Sequence, residues 1–258
     1  MHFVFLGTSG AIPSATRDTT SLAFVGHSEV LVVDVGGSPT RKLAAAGIDV
    51  RRVTHVLITH VHPDHAYGLP ALIQNLILIG RTASLPIFCR AEHVEALTDL
   101  VDLFELRTRK GNFPVPIHGV EPREGIEVLR TASFVVSASP NAHGRMPNLA
   151  VRVDVPGRKT AVVYSSDTEP CDEVVRLAQG ADTLIHEATF PDRHRGRFGA
   201  HSTAGEAGQI AAKAGVRRLI LAHIEADYHE ELDALAAEAR AHFQGVVEVA
   251  EEFRPYPF

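Results

Sequence analysis

Three histidines and an aspartate lie within six consecutive positions in the stretch THVHPDH. They are His60, His62, Asp64 and His65. In an extended or turning backbone the side chains of the first three share one side, and His65 turns back over the loop. Imidazole nitrogens and a carboxylate are ligands that suit zinc, manganese or iron. The stretch therefore predicts a metal site rather than a solvated polar loop.

A strand and a helix are predicted to hold this cluster in place. RVTHVLIT, directly before it, has β-branched or aliphatic residues on both faces, which is typical of a strand buried on both sides. Pro63 stiffens the turn and needs no partner for an amide hydrogen. A helix is predicted to follow from about Gly68 to Ile79. The candidate ligands are thus expected at the end of a buried strand.

The rest of the chain alternates short strand patterns with helical ones. HFVFLG, SLAFVG and EVLVVDVGG, separated by turn signals, predict a meander. Further helices are predicted near 38–46, 91–106, 170–179, 203–214 and 229–243. Further strands are predicted near 126–137, 149–155 and 160–165, and in DTLIHEA and RRLILA. Each half of the chain thus contains strands followed by helices. This pattern favours an α/β protein, a four-layer α/β/β/α sandwich in a single domain over 1–258.

Composition restricts the classes of function. The 258 residues carry a net charge of −6, which argues against a protein coated for non-specific nucleic-acid binding. The longest apolar stretch, ALIQNLILIG, is too short to span a bilayer, and the first residues lack the basic region of a signal peptide. Cys89 and Cys171 lie far apart in the sequence and are expected to be reduced packing residues. We therefore expect a cytoplasmic protein with no membrane partner.

More candidate ligands follow the cluster, in an order that resembles the metallo-β-lactamase superfamily, whose signature is H-x-H-x-D-H after a buried strand. The matching residues are His143 in SPNAHGRM, Asp167 in AVVYSSDT and His223 in LILAHI. The resemblance implies the fold of that superfamily and two divalent ions, zinc first, with manganese or iron as alternatives. It implies His60, His62 and His143 on one ion, Asp64, His65 and His223 on the other, and Asp167 between the two. Two such ions lower the pKa of water and clamp oxygens of the transition state.

A second set of motifs is similar to ribonuclease Z and its phosphodiesterase relatives: FLGTSGAIPS, VDVGG, IHEATF and AHSTAGEAGQIAAKAG. The resemblance implies that His201 contacts the scissile phosphate or acts as general acid toward the leaving oxygen, and that Glu187 orients it. The spacing of Thr203 and Glu206 predicts a capping box, and a helix start binds anions. A carboxylate beside an imidazolium keeps it protonated. Asp64, or else Asp167, is expected to take the proton of the attacking water.

The chain departs from the tRNA-processing enzymes of that family. Asp167 follows His143 by only 24 residues, which leaves no room for the long arm that grips tRNA. Pro63 stands where the family has glycine, and DVGGSPTRK lacks the family's glutamate. We therefore expect a binuclear phosphodiesterase acting on a small phosphodiester or on RNA. The alternatives are an arylsulfatase, a lactonase or a cyclic-nucleotide phosphodiesterase, tRNA 3′ processing with an atypical exosite, and a non-catalytic metal-binding subunit.

Two features near these motifs have two open interpretations each. Asp34 in VVDVGG either supports a metal ligand from behind or is a plain turn aspartate. The arginines of DRHRGRFG either contact a phosphodiester or form a solvated charge run. These arginines are Arg193, Arg195 and Arg197.

Two histidines and one long apolar stretch lie within the predicted core. His55 and His186 lie within apolar strands, so they are expected to be satisfied core residues rather than ligands. LIQNLILIG is either a contact of a homodimer or part of the core.

Overall fold

Two seven-stranded sheets, with helices outside them, form the computed structural model, which describes residues 1–258. The strands are β1 (His2–Gly7), β2 (Ser21–Val25), β3 (Val30–Val33), β4 (Val53–Ile58), β5 (Ile87–Arg90), β6 (Ile117–Val120), β7 (Ile126–Arg130), β8 (Val135–Pro140), β9 (Leu149–Asp154), β10 (Ala161–Tyr164), β11 (Thr183–Glu187), β12 (Arg218–Ala222), β13 (Val246–Val249) and β14 (Pro255–Pro257). The helices are α1 (Pro39–Ala45), α2 (Pro63–Ala66), α3 (Leu69–Leu78), α4 (Val94–Asp102), α5 (Asp172–Ala178), α6 (Ala204–Ala214) and α7 (Leu232–Arg240).

The first sheet has the strand order β14-β1-β2-β3-β4-β5-β6. The strands β1, β2 and β3 pair antiparallel, as the predicted meander requires, and β3 to β6 pair parallel. The sequence analysis did not predict β5 and β6, because IFCR and IHGV are short and carry polar residues. The parallel half sets the carboxyl ends of β3 and β4 at one edge.

The second sheet repeats this plan with the order β13-β12-β11-β10-β9-β8-β7. The strands β7 to β10 pair antiparallel, and β10 to β13 pair parallel. The strands β8, β10, β11 and β12 therefore run in the same direction, since two antiparallel steps separate β8 from β10. Their carboxyl ends form one edge, where loops and side chains from four strands meet.

Apolar residues pack in three layers that hold the sheets together. One layer lies between the sheets and includes Phe3 and Leu57 from the first and Val151 and Ile185 from the second. The other two bury the helices against the outer faces, as Leu72 of α3 and Ile210 of α6 illustrate. The predicted four-layer α/β/β/α sandwich is confirmed. None of the helices combines the length and the apolar composition that a membrane-spanning segment needs.

Helix α6 begins and ends where its sequence signals predict. The Thr203 side chain accepts a hydrogen bond from the Glu206 amide, and the Glu206 side chain accepts one from the Thr203 amide. Gly215 ends the helix in a left-handed conformation with φ of 69°. The helix predicted over 91–106 is shorter: α4 covers Val94–Asp102 after a 3-10 turn, and the chain beyond it forms turns with exposed apolar side chains.

Candidate metal centre and active site

The carboxyl ends of the strands bring all the predicted ligands together. His60 lies two residues after β4, and Asp64 lies in the short helix α2, which Pro63 begins. His143 follows β8, Asp167 follows β10 and His223 follows β12 directly. Residues far apart in the sequence thus face the space between the two sheet edges, and they divide into two groups that share Asp167.

The first group consists of three histidines and Asp167. His62 Nδ1 lies 2.9 Å from His60 Nε2 and 3.2 Å from His143 Nε2. Asp167 Oδ2 lies 3.8 Å from His60 Nε2 and 4.0 Å from His143 Nε2. The ligand atoms of this group all lie within 4.8 Å of one another, which is close enough to surround one ion.

The second group consists of two histidines and two aspartates. His65 Nε2 lies 3.1 Å from Asp64 Oδ2 and 3.3 Å from Asp167 Oδ2. His223 Nε2 lies 3.5 Å from Asp64 Oδ2 and 3.2 Å from Asp167 Oδ2. Asp167 is therefore the one carboxylate that both groups share, and it lies where a residue bridging two ions would have to lie.

Buried atoms without hydrogen-bond partners show that this arrangement fits cations. His65 Nε2, His223 Nε2 and Asp167 Oδ1 are buried and accept or donate no hydrogen bond. An orphaned buried polar atom costs free energy, so such atoms are rare in folded proteins. Three of them converging on one point are what a metal site without its ions would contain. The donor set of imidazole nitrogens and carboxylates suits zinc, manganese or iron.

The pKa shifts of the candidate ligands also indicate that the site suits cations. Burial and the neighbouring His65 lower the pKa of His60 well below its usual value, so His60 presents a neutral lone pair. Burial alone would lower the pKa of His65, but Asp167 and Asp34 raise it well above the usual value. Burial likewise opposes the charge of Asp167, yet His223 and His65 hold its pKa well below the usual value. The buried carboxylates are thus stabilised by neighbouring positive charge, which comes from protonated histidines or from bound cations.

The outward-facing ring nitrogens of three histidines are fixed by hydrogen bonds. His65 Nδ1 donates to Asp34 Oδ2 at 2.8 Å, and His143 Nδ1 donates to the Ala200 carbonyl at 2.7 Å. His223 Nδ1 donates to Thr189 Oγ1 at 3.0 Å, because that hydroxyl gives its own proton to Glu187. Each bond places the lone pair on Nε2, which faces the centre.

Asp34 supports a candidate ligand from behind, one of its two predicted roles. Besides His65, its carboxylate accepts hydrogen bonds from the Thr59 amide at 2.8 Å and from the Thr59 hydroxyl at 2.9 Å. It is fully buried. Thr189 and Ala200 have comparable roles that the sequence analysis missed. Thr189 lies within the IHEATF motif, which could have indicated it, but no sequence signal indicates the Ala200 carbonyl.

We expect Asp34→Asn to weaken metal binding by about 10- to 100-fold, since loss of such an outer partner costs that much in other metal sites. The amide cannot take over the charge that orients His65 through a 2.8 Å bond. Competition with a chromophoric chelator measures the change. Asp182→Asn is the matched control, because Asp182 lies at the opposite end of β11, where it accepts from the Ala161 amide. Equal losses in both variants would contradict the role of Asp34.

His201 and Glu187 form a pair beside the two groups. His201 Nδ1 donates to Glu187 Oε1 at 2.9 Å, and the His201 ring lies 4.9 Å from that of His143 and 5.5 Å from that of His223. Burial opposes the charge on His201, but the Glu187 carboxylate outweighs it and raises the pKa of His201 to about 9. The imidazole therefore holds a proton at neutral pH, and its Nε2 has no protein partner.

Glu187 is a rigid support for that imidazole. Its carboxylate is fully buried and accepts hydrogen bonds from the amides of Thr168 at 2.7 Å and Ser202 at 3.0 Å. The Thr189 hydroxyl donates a further one at 2.6 Å. The His201 charge and these donors keep Glu187 ionised against the cost of its burial.

Three backbone positions in the site are strained. Asp34, Ser166 and His223 have φ of 61°, 53° and 55°, in the left-handed region that non-glycine residues seldom adopt. Two of them are predicted site residues, and Ser166 directly precedes Asp167. Such strain persists only where the surrounding structure enforces it, and it concentrates at functional sites.

The three arginines of DRHRGRFG differ in whether a carboxylate pairs with them. Arg193 makes two hydrogen bonds with Glu231, at 2.7 and 2.8 Å, and Arg195 makes one with Asp192 at 3.0 Å. Arg197 has no carboxylate partner. The charge run is thus partly neutralised, and one arginine remains available.

The two core histidines differ from the prediction in part. His186 is fully buried on the face of β11 opposite to Glu187. Its Nδ1 contacts the Glu187 carbonyl oxygen at 2.7 Å, but its Nε2 has no hydrogen-bond partner. His55 is half-buried and contacts the Thr54 hydroxyl. Neither belongs to a candidate metal group. Cys89 and Cys171 are both unpaired, as expected.

The chain between His143 and Asp167 forms a hairpin and nothing more. The strands β9 and β10 occupy Leu149–Asp154 and Ala161–Tyr164, and a short turn joins them. The sequence analysis predicted that this segment is too short for a long arm, and the hairpin agrees with that prediction.

Comparison of the sequence with known proteins places these residues in a wider group. The profile of the beta-lactamase superfamily domain matches residues 32–224. The chain is similar to ribonuclease Z of Methanothermobacter thermautotrophicus, with 31% identity over 98% of this chain and 95% of that protein. That alignment spans 303 positions, more than the 258 residues here, so the relative has inserted residues that this chain lacks.

Two solved structures illustrate the similarity in fold. The metallo-beta-lactamase fold protein YhfI of Bacillus subtilis has a TM-score of 0.82 and 24% identity, over 99% of this chain and 98% of that chain. The short form of human tRNase Z also has a TM-score of 0.82 and 24% identity, over the full length of both chains. These likenesses show the fold.

Proposed function

The chain belongs to the metallo-β-lactamase superfamily and, within it, to the ribonuclease Z-like branch, and on that premise we propose that it is a metal-dependent hydrolase of phosphodiester bonds. The observation that carries the proposal is the pair of His201 and Glu187 beside two groups of ligands that share a carboxylate. The ligand groups suit hydrolysis in general, whereas a protonated imidazole aimed at the same space suits an anionic substrate.

We propose that His60, His62 and His143 would hold one ion, that Asp64, His65 and His223 would hold a second, and that Asp167 would be a ligand shared by both. Zinc is the first choice, since four nitrogen and oxygen ligands suit it, with manganese or iron as alternatives. When bound, the ions supply Lewis acidity and bring the pKa of a water toward neutrality. Metal analysis of the purified protein identifies the ions and their number.

The side chains of this protein would move the protons. His201 donates from Nε2 to the leaving oxygen, and Glu187 keeps the imidazole charged and aligned. Asp64 takes the proton of the attacking water, because its side chain is 9% exposed while that of Asp167 is 2% exposed. The carboxylate of Asp64 stays ionised, because the nearby His223 and His65 imidazoles outweigh the effect of its burial and lower its pKa.

The substrate would be a small phosphodiester or an RNA. Hydrolysis of bis(p-nitrophenyl) phosphate by metal-loaded protein tests the assignment, beside an aryl sulfate, a lactone and a cyclic nucleotide. Inactivity on the phosphodiester with activity on the sulfate or the lactone would contradict it. Inactivity on the whole panel with both ions bound would instead favour a non-catalytic subunit.

Processing of tRNA 3′ ends is a second candidate, favoured by the 31% identity to a ribonuclease Z over nearly the whole chain. The hairpin between His143 and Asp167 argues against it, because it offers no extended arm to hold a folded RNA. Cleavage of a precursor tRNA transcript, measured beside a short single-stranded RNA, separates the two. Preference for the precursor would establish tRNA processing and require another contact surface.

We also propose a homodimer, formed through an apolar surface beside α3 and α4. Leu72, Ile73 and Leu76 of LIQNLILIG are buried in the core, so this stretch itself is mainly structural. Next to it, Leu103 and Phe104 are 74% and 56% exposed at the end of α4, beside a cavity of about 380 Å³. Exposed apolar surface of this kind marks association sites.

The test of the dimer is a charge on that surface. Leu103→Glu is expected to convert a dimer into a monomer in sedimentation measurements, because a desolvated carboxylate in an apolar contact is costly. Val246→Glu is the matched control, since Val246 is 57% exposed on the edge strand β13. A dimer that survives Leu103→Glu would rule out this surface.

We further infer that residues 1–258 form a single structural unit that acts in the cytoplasm. The apolar layer between the sheets supports the first inference, since it draws on both halves of the chain. Two unpaired cysteines suit the reducing conditions of the second. A single cooperative melting transition and cell fractionation are the respective tests.

A further inference from the structure

A serine in a left-handed backbone conformation joins the two sheets directly behind the candidate metal centre. We propose that Ser166 is a positioning residue, whose hydroxyl bond to Thr59 fixes the Asp167 carboxylate relative to the ligands of the first sheet. The proposal rests on the proposed ligand assignment, but it does not depend on which bond the protein hydrolyses.

Each group of candidate ligands draws on both sheets. In the first group, His60 follows β4 of the first sheet and His143 follows β8 of the second. In the second group, Asp64 and His223 are divided between the sheets in the same way. The ligand geometry of both groups would therefore change if the two sheet edges moved relative to one another. The apolar layer between the sheets resists their separation, but hydrophobic contacts are non-directional and do not set such a geometry.

The bond between Ser166 and Thr59 crosses from one sheet to the other at this edge. Ser166 lies two residues after β10 of the second sheet, and Thr59 lies directly after β4 of the first. The Ser166 hydroxyl donates to Thr59 Oγ1 at 2.9 Å, and both side chains are fully buried. A hydrogen bond is directional, and at this depth water does not compete for it. It can therefore fix the relative position of the two edges.

Thr59 connects this bond to one ligand of each group. Its hydroxyl donates to Asp34 Oδ2 at 2.9 Å, and Asp34 in turn accepts from His65 Nδ1 at 2.8 Å. His60 Nδ1 lies 3.2 Å from Thr59 Oγ1 and donates to it when the Nε2 lone pair faces the centre. The Thr59 hydroxyl thus uses its one proton and both of its acceptor positions. A buried network that is fully satisfied in this way is rigid.

The chain on the other side of the bond is also held by buried hydrogen bonds. The Asp167 carbonyl accepts from Asn148 Nδ2 at 2.7 Å and from Asn141 at 3.1 Å. The Ser166 carbonyl accepts from the Ser165 hydroxyl at 2.7 Å. The Ser166 hydroxyl also lies 3.2 Å from Asn148 Oδ1. The backbone of the shared ligand Asp167 is therefore fixed relative to Ser166.

The backbone conformation at position 166 favours glycine, yet a serine stands there. Its φ of 53° lies in the left-handed region, which glycine enters without steric cost. A non-glycine residue persists in this region where the surrounding structure enforces it. A glycine would form the same turn, but it could not reach Thr59. The contribution of the serine is thus its side chain, and that side chain is directed at the other sheet.

The test compares metal binding by variants of the full-length protein. We expect Ser166→Gly to weaken metal binding about tenfold in competition with a chromophoric chelator, since loss of an outer partner costs that much in other metal sites. Two manganese(II) ions that share a carboxylate interact magnetically, so the electron paramagnetic resonance spectrum of manganese-loaded protein is expected to change as well. The variant should still fold, because glycine removes the backbone strain together with the hydroxyl.

Substitutions at Thr59 show whether the hydroxyl bond is the cause. Thr59→Ser keeps the hydroxyl and is expected to keep both the affinity and the spectrum, whereas Thr59→Val is expected to lose both. In the Thr59→Val protein, Ser166→Gly should add little, because the bond is already absent. Thr183→Val is the matched control: Thr183 is buried at the opposite end of β11, where its hydroxyl accepts from Arg218 Nε at 3.0 Å.

The results separate this proposal from the proposed function. Unchanged affinity and an unchanged spectrum in Ser166→Gly would overturn the positioning role, and so would an equal loss in Thr183→Val. A protein that cleaves no phosphodiester but loses metal affinity in Ser166→Gly would keep the positioning role and remove the proposed function. Phosphodiester cleavage, with metal binding indifferent to Ser166, would have the opposite meaning.

Discussion

Asp167→Asn is expected to lose both ions and to lower phosphodiester hydrolysis by about 10³-fold or more, since metal stabilisation of the transition state is worth several kcal/mol. Asp167 Oδ2 lies within 4.0 Å of an imidazole nitrogen in each ligand group, at 3.2 Å from His223 and 3.8 Å from His60. Without its charge, the first group has no carboxylate and the second keeps only that of Asp64. Metal content by mass spectrometry and the rate on bis(p-nitrophenyl) phosphate measure the two effects.

A comparison with Asp64→Asn makes this prediction specific. Asp64 belongs to the second group alone, so its variant is expected to keep the ion held by His60, His62 and His143. Asp182→Asn controls for the loss of a partly buried aspartate elsewhere in the second sheet. Two ions retained in Asp167→Asn, with a rate near that of the unaltered protein, would contradict the bridging position.

His201→Ala is expected to lower the rate by about 10²-fold or more while metal content stays unchanged, because general acid catalysis contributes 10²- to 10⁴-fold. His201 is not among the assigned ligands, and its Nδ1 is bonded to Glu187 at 2.9 Å. The loss should be larger for a sugar or alkyl leaving group than for nitrophenolate, which leaves readily without a proton. Rates on the two kinds of substrate, with metal content measured on the same samples, test both statements.

The Glu187→Gln variant tests whether Glu187 acts by keeping His201 protonated or only by supporting the local fold. The Glu187 carboxylate raises the pKa of His201 against the effect of burial, so its loss lowers that pKa and moves the fall in rate to lower pH. Below the new pKa the imidazole is still charged, and the rate should partly recover. A uniform loss at every pH would mean that Glu187 only supports the local fold. An unchanged rate in His201→Ala would return His201 to the role of a surface residue at a helix start.

The sequence predicts the centre well because each candidate ligand follows an apolar run. A strand such as β4 or β12 is visible from its composition, and polar residues directly after it must lie at a sheet edge. Asp34 is predictable for the same reason, since it follows β3. The order of the strands in each sheet then decides which ends meet, and the family resemblance, rather than the composition, implied which ligands come together.

The remainder depends on contacts between distant parts of the chain. The Ala200 carbonyl orients His143 through the backbone, so no residue type reveals it. Whether an arginine is neutralised depends on its distant neighbours: Arg193 meets Glu231, which is remote in sequence, whereas Arg197 meets no carboxylate. Short strands such as β6, with the sequence IHGV, take their conformation from the neighbouring strand rather than from their own composition.

The strained backbone at Asp34, Ser166 and His223 links the lifetime of the protein to its metal supply. Each left-handed residue costs about 1–3 kcal/mol, and the unpartnered buried nitrogens beside them add to that cost. Ions that bind the folded chain and not the unfolded one offset this cost by mass action. We therefore expect the site edge to open first and to admit proteases when metal is scarce. Starvation for metal is then expected to lower the amount of the protein, and not only its activity.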